Sequence, residues 1–235
     1  MTTAVTVAGQ VRIGGQVLFP PIRLALKPVG WTALLGPSGV GKSTLLRLIA
    51  GLPIGGMFEG SVSNRQPVAL MAQDAGLLPW LTVRQNAALG ARLRGERADA
   101  DRLDGVLDRT GLTDHAAKYP AALSGGQRQR VALARTLMED RGVILLDEPF
   151  AALDVAMRLA MQDLAAGLLA GRSVLMVTHD PAEAARLAHR ICVLTKDGLA
   201  EEPSPATTPP RAANDPGAFA CQTALLARLI AGVRT

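Results

Sequence analysis

The stretch Gly36-Pro37-Ser38-Gly39-Val40-Gly41-Lys42-Ser43-Thr44 decides how this chain folds. It matches the phosphate-binding loop pattern, in which a glycine and four free residues precede Gly-Lys-Ser. The apolar run 31–35 before it predicts a buried strand, and residues 44–50 after it predict a helix that stops at Gly51. The glycines let the loop curl its backbone N–H groups around an anion, and the helix N-terminus adds more of them. In this pattern Lys42 reaches the β- and γ-phosphates of a nucleotide and Ser43 binds Mg²⁺; the alternative is a glycine-rich turn without a ligand.

Length and composition limit what kind of protein this is. The 235 residues allow one large or two small domains, and 49% of them are hydrophobic, which suffices for a core. No apolar run is long enough to span a bilayer, and the start lacks a signal-peptide pattern. Two cysteines, Cys192 and Cys221, are too few for a disulfide framework and indicate a reducing compartment. We therefore expect a cytoplasmic protein.

The net charge of +5 raises the question of a nucleic-acid partner. However, the arginines are interleaved with acidic residues, as in 92–104, and aromatic residues that could stack on bases make up only 3% of the chain. We therefore expect no nucleic acid. A mild positive excess also suits a protein that works against an anionic membrane face.

The chain on either side of the loop predicts further strands. Residues 3–28 hold four short apolar runs, separated by Gly14-Gly15 and by Pro20-Pro21, which predicts antiparallel strands. The segment after Gly51 is rich in glycine and proline and is interpreted as a loop. It leads to a buried strand at 68–71, with Gln73 close behind.

Residues 74–119 differ in character and predict a helical subdomain. Leu77-Leu78-Pro79-Trp80 forms an exposed-looking apolar loop, and Thr82 would cap the next helix through a capping box. The end of the chain is interpreted as a linker or loosely packed loop at 203–216, followed by an amphipathic helix at 219–233.

A second distinctive segment is Leu123-Ser124-Gly125-Gly126-Gln127. Ser124 and Gln127 have the spacing of a capping box, so the simplest interpretation is an ordinary helix start. Two glycines inside a first turn weaken it and expose its N–H groups, which is useful where something must approach the backbone closely.

Two apolar runs later in the chain end in polar side chains. Residues 143–146 precede Asp147-Glu148, and residues 174–177 precede Thr178-His179. Continuous apolar runs of this length are typical of central parallel strands. Ligands of open α/β sheets bind at the carboxyl ends of such strands, so Asp147 and Glu148 are candidates for a site. His115 and His189, in contrast, are interpreted as surface or packing residues.

Taken in order, these motifs resemble those of the nucleotide-binding subunit of ATP-binding cassette (ABC) transporters. The matching elements are the loop 36–44, Gln73, LSGGQ at 123–127, VILLDE at 143–148, the loop 151–154 and His179. The resemblance implies an α/β P-loop NTPase (RecA-like) core with an antiparallel β subdomain and an inserted α-helical subdomain. It implies one domain over 1–235, with the core at 1–73 and 139–200, the helical subdomain at 74–138, and a C-terminal linker and helix at 201–235.

The resemblance also implies a role for each motif. Asp147, with Ser43 and Gln73, would hold Mg²⁺, and Glu148 would act as general base on the attacking water. Gln73 would also sense the water or metal, and His179 would bind the γ-phosphate and help hold Glu148. Ser124, Gly125, Gly126 and Gln127 would contact ATP held by a second copy, with Asp154 communicating across the interface. ATP and Mg²⁺ are the expected cofactors, and a homodimer is the expected working unit.

The segment from Gln73 to Trp80, with Asn86 beyond it, resembles the same segment in ATPase subunits of importers of the nitrate, sulfonate and taurine type and of their thiamine-precursor relatives. The chain would then lie on the inner face of the membrane, beneath a separate permease that a substrate-binding protein supplies. Two alternatives stay open: an ATPase of the same family that releases lipids or lipoproteins, and a non-transport ATPase of DNA repair or translation. The repair type inserts a long coiled coil and the ribosomal type carries two cassettes per chain, and this sequence shows neither.

One position departs from the family pattern. An aromatic residue upstream of the phosphate-binding loop usually stacks on adenine, whereas Ile13 occupies the aligned position here and Phe19 is the nearest ring. We therefore assign no residue to adenine stacking, and we expect GTP to compete well with ATP.

Overall fold

A computed structural model describes residues 5–64 and 66–233 of the chain. The strands are β1 (Thr6–Ile13), β2 (Gln16–Ala25), β3 (Gly30–Leu35), β4 (Met57–Ser63), β5 (Val68–Met71), β6 (Val143–Asp147), β7 (Ser173–Val177), β8 (Arg190–Thr195) and β9 (Gly198–Glu202). The helices are α1 (Lys42–Ile49), α2 (Val83–Ala87), α3 (Leu89–Leu93), α4 (Ala100–Arg109), α5 (Gly125–Met138), α6 (Val155–Leu168), α7 (Pro181–Leu187) and α8 (Pro216–Val233). Among the described residues, no helix is long and apolar enough to cross a bilayer.

The centre of the fold is a six-stranded sheet in the order β5-β6-β7-β3-β8-β9. Five strands are parallel, and β9 pairs antiparallel to β8. Every residue of β3, β6 and β7 is buried, which confirms the strands predicted from the apolar runs. The two faces of β3 are buried in two different hydrophobic cores. Ala33 lies in a core with residues of α5, α6 and α7. Leu34 lies in the other core, with residues of α1, β1 and β2. This topology places the ends of β3, β5, β6 and β7 on one edge, where the candidate residues follow.

The second sheet has three antiparallel strands in the order β2-β1-β4. The four apolar runs of the sequence merge into two strands, and Pro20 and Pro21 lie inside β2 rather than between strands. They are tolerated because β2 is an edge strand and its pairing with β1 is irregular there. The prediction of a loop after Gly51 is wrong in part, because this segment contains β4. Gly9 and Gly60 pair across β1 and β4, and an added Cβ on Gly60 would lie 2.1 Å from the Ala8 carbonyl oxygen.

Helices α2 to α5 form the helical part that the sequence predicted between the strands β5 and β6. Thr82 accepts a hydrogen bond from the Gln85 N–H and Gln85 bonds back, so the predicted capping box is confirmed. Leu103, Val106 and Leu107 of α4 are buried in one core together with apolar residues of α5. This packing joins the helical part to the large sheet.

The segment between β9 and α8 is an irregular loop, as predicted, but it is not loosely packed at Arg211. Arg211 is 3% exposed, and its guanidinium donates to four backbone carbonyls, those of Pro205, Thr207, Ala185 and Ala188. Two of these carbonyls belong to the end of α7, which otherwise lacks partners for them. The helix predicted at the end of the chain is confirmed as α8, which packs against α7.

Candidate functional site

The phosphate-binding loop connects β3 to α1 and needs its glycines for steric reasons. Gly36 and Gly41 have φ angles of 151° and 103°, which side chains rarely adopt. An added Cβ would lie 2.2 Å from the Leu194 carbonyl oxygen at Gly36, and 2.8 Å from a ring atom of Phe19 at Gly41. The loop can therefore fold tightly against β8 and β2 only because both positions are glycine.

Lys42 begins α1 and is 7% exposed. Its Nζ donates to the carbonyl oxygens of Gly36 at 2.7 Å and of Pro37 at 2.8 Å. An ammonium has three donors, so one remains for an anion in the loop. Burial lowers the pKa of Lys42, and the carboxylates of Glu148 and Asp147 oppose this effect. Gly41 offers no side chain to cap α1, which leaves the first N–H groups of the helix available to a phosphate.

A cavity of about 390 Å³ lies beside this loop. Its lining residues are Ile13, Leu18, Ser38, Gly39, Gly41, Lys42, Ser43, Thr44, Gln73 and Glu148. Six of the nine residues of the phosphate-binding loop thus share one cavity with two residues, Gln73 and Glu148, that the sequence placed in the reaction. The volume suits a small-molecule ligand.

Asp147 ends β6 next to the loop and is a fitting ligand for a hard cation. Its Oδ1 is buried and has no hydrogen-bond partner among the described residues. Burial raises the pKa of the Asp147 carboxyl, while the Ser43 side chain lowers it. A buried, unpaired carboxylate oxygen is costly, and Mg²⁺ prefers such oxygen ligands. No three His, Cys, Asp or Glu residues of the described chain group closely enough to hold a metal by themselves.

Glu148 follows directly and has a φ angle of 49°, a left-handed conformation that glutamate rarely adopts. Its backbone is fixed on both sides, because its N–H donates to the Val177 carbonyl and its own carbonyl accepts from Gln129 Nε2 at 2.7 Å. This turns the carboxylate towards two predicted partners. Oε2 lies 3.4 Å from Gln73 Nε2 and 3.3 Å from His179 Nδ1. The structure therefore brings together the three residues that the sequence assigned to catalysis.

Gln129 is a site residue that the sequence did not indicate. It lies on α5, is 8% exposed, and its Oε1 accepts from the Ala152 N–H at 2.7 Å while its Nε2 holds the Glu148 carbonyl. One amide thus links the helix after LSGGQ to the Glu148 turn and to the loop 151–154. The only signal in the sequence is a polar residue on the buried face of a helix, which has many explanations.

The segment 123–127, called here the signature segment, begins α5 as predicted. The Ser124 N–H donates to Gln127 Oε1 at 2.8 Å, and the Gln127 N–H donates to Ser124 Oγ at 3.2 Å, which confirms the capping box. Ser124 and Gly125 are exposed, and an added Cβ at Gly125 would meet nothing within 4 Å. At Gly126 it would lie 3.0 Å from the Ala152 carbonyl oxygen. Within the described chain, the cavity beside the phosphate-binding loop has no lining residue from this segment.

Comparison with known proteins identifies the family. Residues 19–151 match the family model described as ABC transporter. The chain is 48% identical over 187 residues to the aliphatic sulfonates import ATP-binding protein SsuB 1 of Rhodococcus jostii, covering 77% of this chain and 74% of that protein. It is 43% identical over 231 residues to SsuB 3 of Nocardia farcinica, covering 97% and 92%. The chain belongs to the ABC transporter family.

A solved structure agrees with this assignment. A chain from an inward-facing ABC transporter superposes with a TM-score of 0.70 at 25% identity, covering 85% of this chain and 82% of that one. As a member of the ABC family, this chain binds ATP and is an ATPase. The fold class predicted from the sequence is confirmed.

Ile13, at the position where the sequence comparison expects the adenine-stacking residue, is aliphatic. Ile13 and Leu18 line the cavity, whereas Phe19 is 0% exposed and packs beneath Gly41. Phe19 therefore cannot provide the missing ring. None of the residues that line the cavity in the described chain is aromatic.

The loop between Gln73 and α2 carries the most exposed tryptophan of the described chain. Trp80 is 68% exposed, while the loop around it is held firmly. Asn86 is fully buried, and its amide bonds the backbone of Leu78, Leu81 and Thr82. Arg135 of α5 donates to the carbonyls of Ala75 and Gly76. The loop is a rigid element that presents Trp80 to the outside.

Proposed function

We propose that two copies of this chain form the ATP-hydrolysing motor of an importer for aliphatic sulfonates or a related small nutrient. One observation supports the proposal that two copies together hydrolyse ATP. Gln73, Glu148 and His179 converge beside the phosphate-binding loop. Ser124 and Gly125 of the signature segment are exposed, and among the described residues this segment lines none of the cavity. Each chain would therefore carry two different half-sites, which a two-fold pairing of identical copies would complete.

In the proposed reaction, water attacks the γ-phosphorus of ATP and ADP leaves. The loop N–H groups and Lys42 would bind the phosphates, and Glu148 would accept a hydrogen bond and then the proton of the attacking water. His179 and Gln73 would hold the Glu148 carboxylate, because both approach its Oε2. Ser43 and Asp147 would hold Mg²⁺, which when bound neutralises charge on the phosphate oxygens. The unpaired Oδ1 of Asp147 supports this assignment.

The contact with a permease is assigned to Trp80 and its loop. An exposed aromatic side chain on a fixed support is a common anchor of protein interfaces. Gln73 lies at the start of the same loop and touches Glu148, so a movement at the γ-phosphate could reach Trp80 through a short, rigid segment. Under this assignment the motor would lie on the inner face of a membrane, beneath the permease, and a substrate-binding protein would act on the other side.

The importer assignment is supported by the relatives that are named for aliphatic sulfonates import. It is tested by deleting the chromosomal gene and growing the cells with an alkanesulfonate, or with sulfate, as sole sulfur source. We expect the deletion to abolish growth on the sulfonate but not on sulfate. Expression of the wild-type chain should restore growth on the sulfonate, whereas expression of the Lys42→Ala chain should not. Unchanged growth on alkanesulfonates and unchanged uptake of taurine, nitrate and thiamine precursors would reject the importer assignment.

The motor assignment has its own test. Purified Glu148→Gln should bind a fluorescent ATP analogue as wild type does, yet lose at least about 100-fold in turnover, since a general base contributes about 10²–10⁴-fold. Gln129→Ala is a comparison variant for Glu148→Gln. It removes the hydrogen bond to the Glu148 backbone carbonyl but keeps the Glu148 carboxylate. Wild-type turnover by Glu148→Gln would show that another group activates the water.

A further inference from the structure

His115 contacts the signature segment through a single hydrogen bond. Its Nε2 lies 2.9 Å from Nε2 of Gln127, across 12 positions of sequence. The ring comes from a short turn at Thr113–His115, where the His115 N–H donates to the Leu112 carbonyl and the His115 carbonyl accepts from Lys118. The backbone of His115 is therefore fixed from both sides, and its side chain reaches from this turn to the first turn of α5.

The hydrogen bonds of Gln127 determine which atoms donate. The Ser124 N–H can only donate, so the atom 2.8 Å away must be the Gln127 oxygen, and the Gln127 NH₂ group must face the histidine. The NH₂ group can only donate as well. His115 Nε2 therefore accepts, which requires a neutral ring with its proton on Nδ1.

The other ring nitrogen, Nδ1, gains no hydrogen bond from the rest of the described fold. His115 Nδ1 is buried and has no hydrogen-bond partner among the described residues. A buried, unpaired donor costs stability, so an apolar ring of the same size would suit the packing better. The ring nitrogen that forms a hydrogen bond is Nε2, which faces Gln127.

We infer that His115 is a positioning residue that holds the capping box of the signature segment in the form that meets the nucleotide of a second copy. Without the acceptor at Nε2, the Gln127 amide is free to turn and to release the Ser124 N–H. Ser124 and the first-turn N–H groups, which the proposed dimer presents to the partner's phosphates, would then lose their fixed directions. This inference rests on the proposed function, and it concerns dimer closure rather than nucleotide binding by one chain.

The test uses the Glu148→Gln chain, in which ATP should accumulate a dimer. We compare it with double variants that also carry His115→Phe, which keeps a ring but no acceptor, or His115→Gln, whose oxygen can reach the position of Nε2. Two measurements are made with ATP and Mg²⁺: the dimer dissociation constant by analytical ultracentrifugation, and the affinity of dilute monomer for a fluorescent ATP analogue. Urea unfolding of each variant serves as the folding control.

We expect His115→Phe to weaken the dimer by about 4- to 100-fold, since each of the two chains loses its His115–Gln127 hydrogen bond and each bond contributes about 2- to 10-fold. His115→Gln should remain within about 3-fold of the parent, and monomer affinity should not change. An unchanged dimer in the His115→Phe chain would overturn the inference. If the parent Glu148→Gln chain itself stays monomeric, the proposed function fails instead. Should His115→Phe unfold early, His115→Asn, whose acceptor stops short of Gln127, provides the same comparison.

Discussion

The end of the cavity at Ile13 and Leu18 is where we expect the nucleobase to lie. Ile13 is 39% exposed at the cavity and Leu18 lies beside it, whereas Phe19 is buried under the phosphate-binding loop. Stacking on an aromatic ring contributes about 1–3 kcal/mol per base. Since Ile13 already gives some apolar contact, we expect Ile13→Tyr to gain about 1–2 kcal/mol, which is a 5- to 30-fold tighter binding of ATP.

The assay is a titration of dilute monomer with fluorescent ATP and GTP analogues, followed by competition with the unlabelled nucleotides. Wild type should bind ATP and GTP within about 10-fold of each other, and Ile13→Tyr should tighten both, because every base has a face for stacking. Val17→Tyr is the matched control, since Val17 is 47% exposed on the neighbouring strand β2 and does not line the cavity. A wild-type preference for ATP above 100-fold, or an Ile13→Tyr chain that binds like the control, would refute the reasoning.

Two further predictions concern the permease contact and pH. Trp80→Ala should keep the basal ATPase rate of the isolated chain while weakening assembly with the permease and uptake; a parallel loss of basal ATPase would make Trp80 a structural residue. Burial raises the pKa of Glu183 from 4.5 to about 7, so the folded chain holds a proton there that the unfolded chain releases. Stability should therefore fall by up to about 3 kcal/mol as pH rises from about 4.5 to 7. Glu183→Gln, which cannot ionise, should remove this fall in urea midpoints between pH 5 and 8; an equal slope in both chains would contradict the assignment.

The parts that were predictable from the sequence are those whose conformation is decided within a few neighbouring residues. The phosphate-binding loop, the capping boxes at Thr82 and Ser124, and the strands that precede Asp147 and Thr178 all depend on local patterns. The convergence of Gln73, Glu148 and His179 was expected from the family resemblance, and the sheet order explains it, because their strands end on one edge.

The parts that were missed depend on distant partners. Strand β4 has a weak apolar pattern and exists through its pairing with β1, where Gly60 permits the close approach. Arg211 appears in a proline-rich segment and shows its role only once the end of α7 lies beside it. Gln129 and His115 likewise act through contacts with residues 19 and 12 positions away. Helix or strand periodicity carries no information about such contacts.

The central claim is that each chain supplies two half-sites which only a pair completes, and mixing two inactive variants tests it most directly. Lys42→Ala disables the phosphate-binding loop, and Gly125→Asp places a carboxylate on the signature segment at a position where a side chain meets nothing within 4 Å of this chain. Each variant alone should be inactive. An equimolar mixture should recover up to about a quarter of the wild-type ATPase rate, since half of the random pairs hold one intact site out of two. A mixture that stays as inactive as its components, although mixed dimers form, would contradict the account.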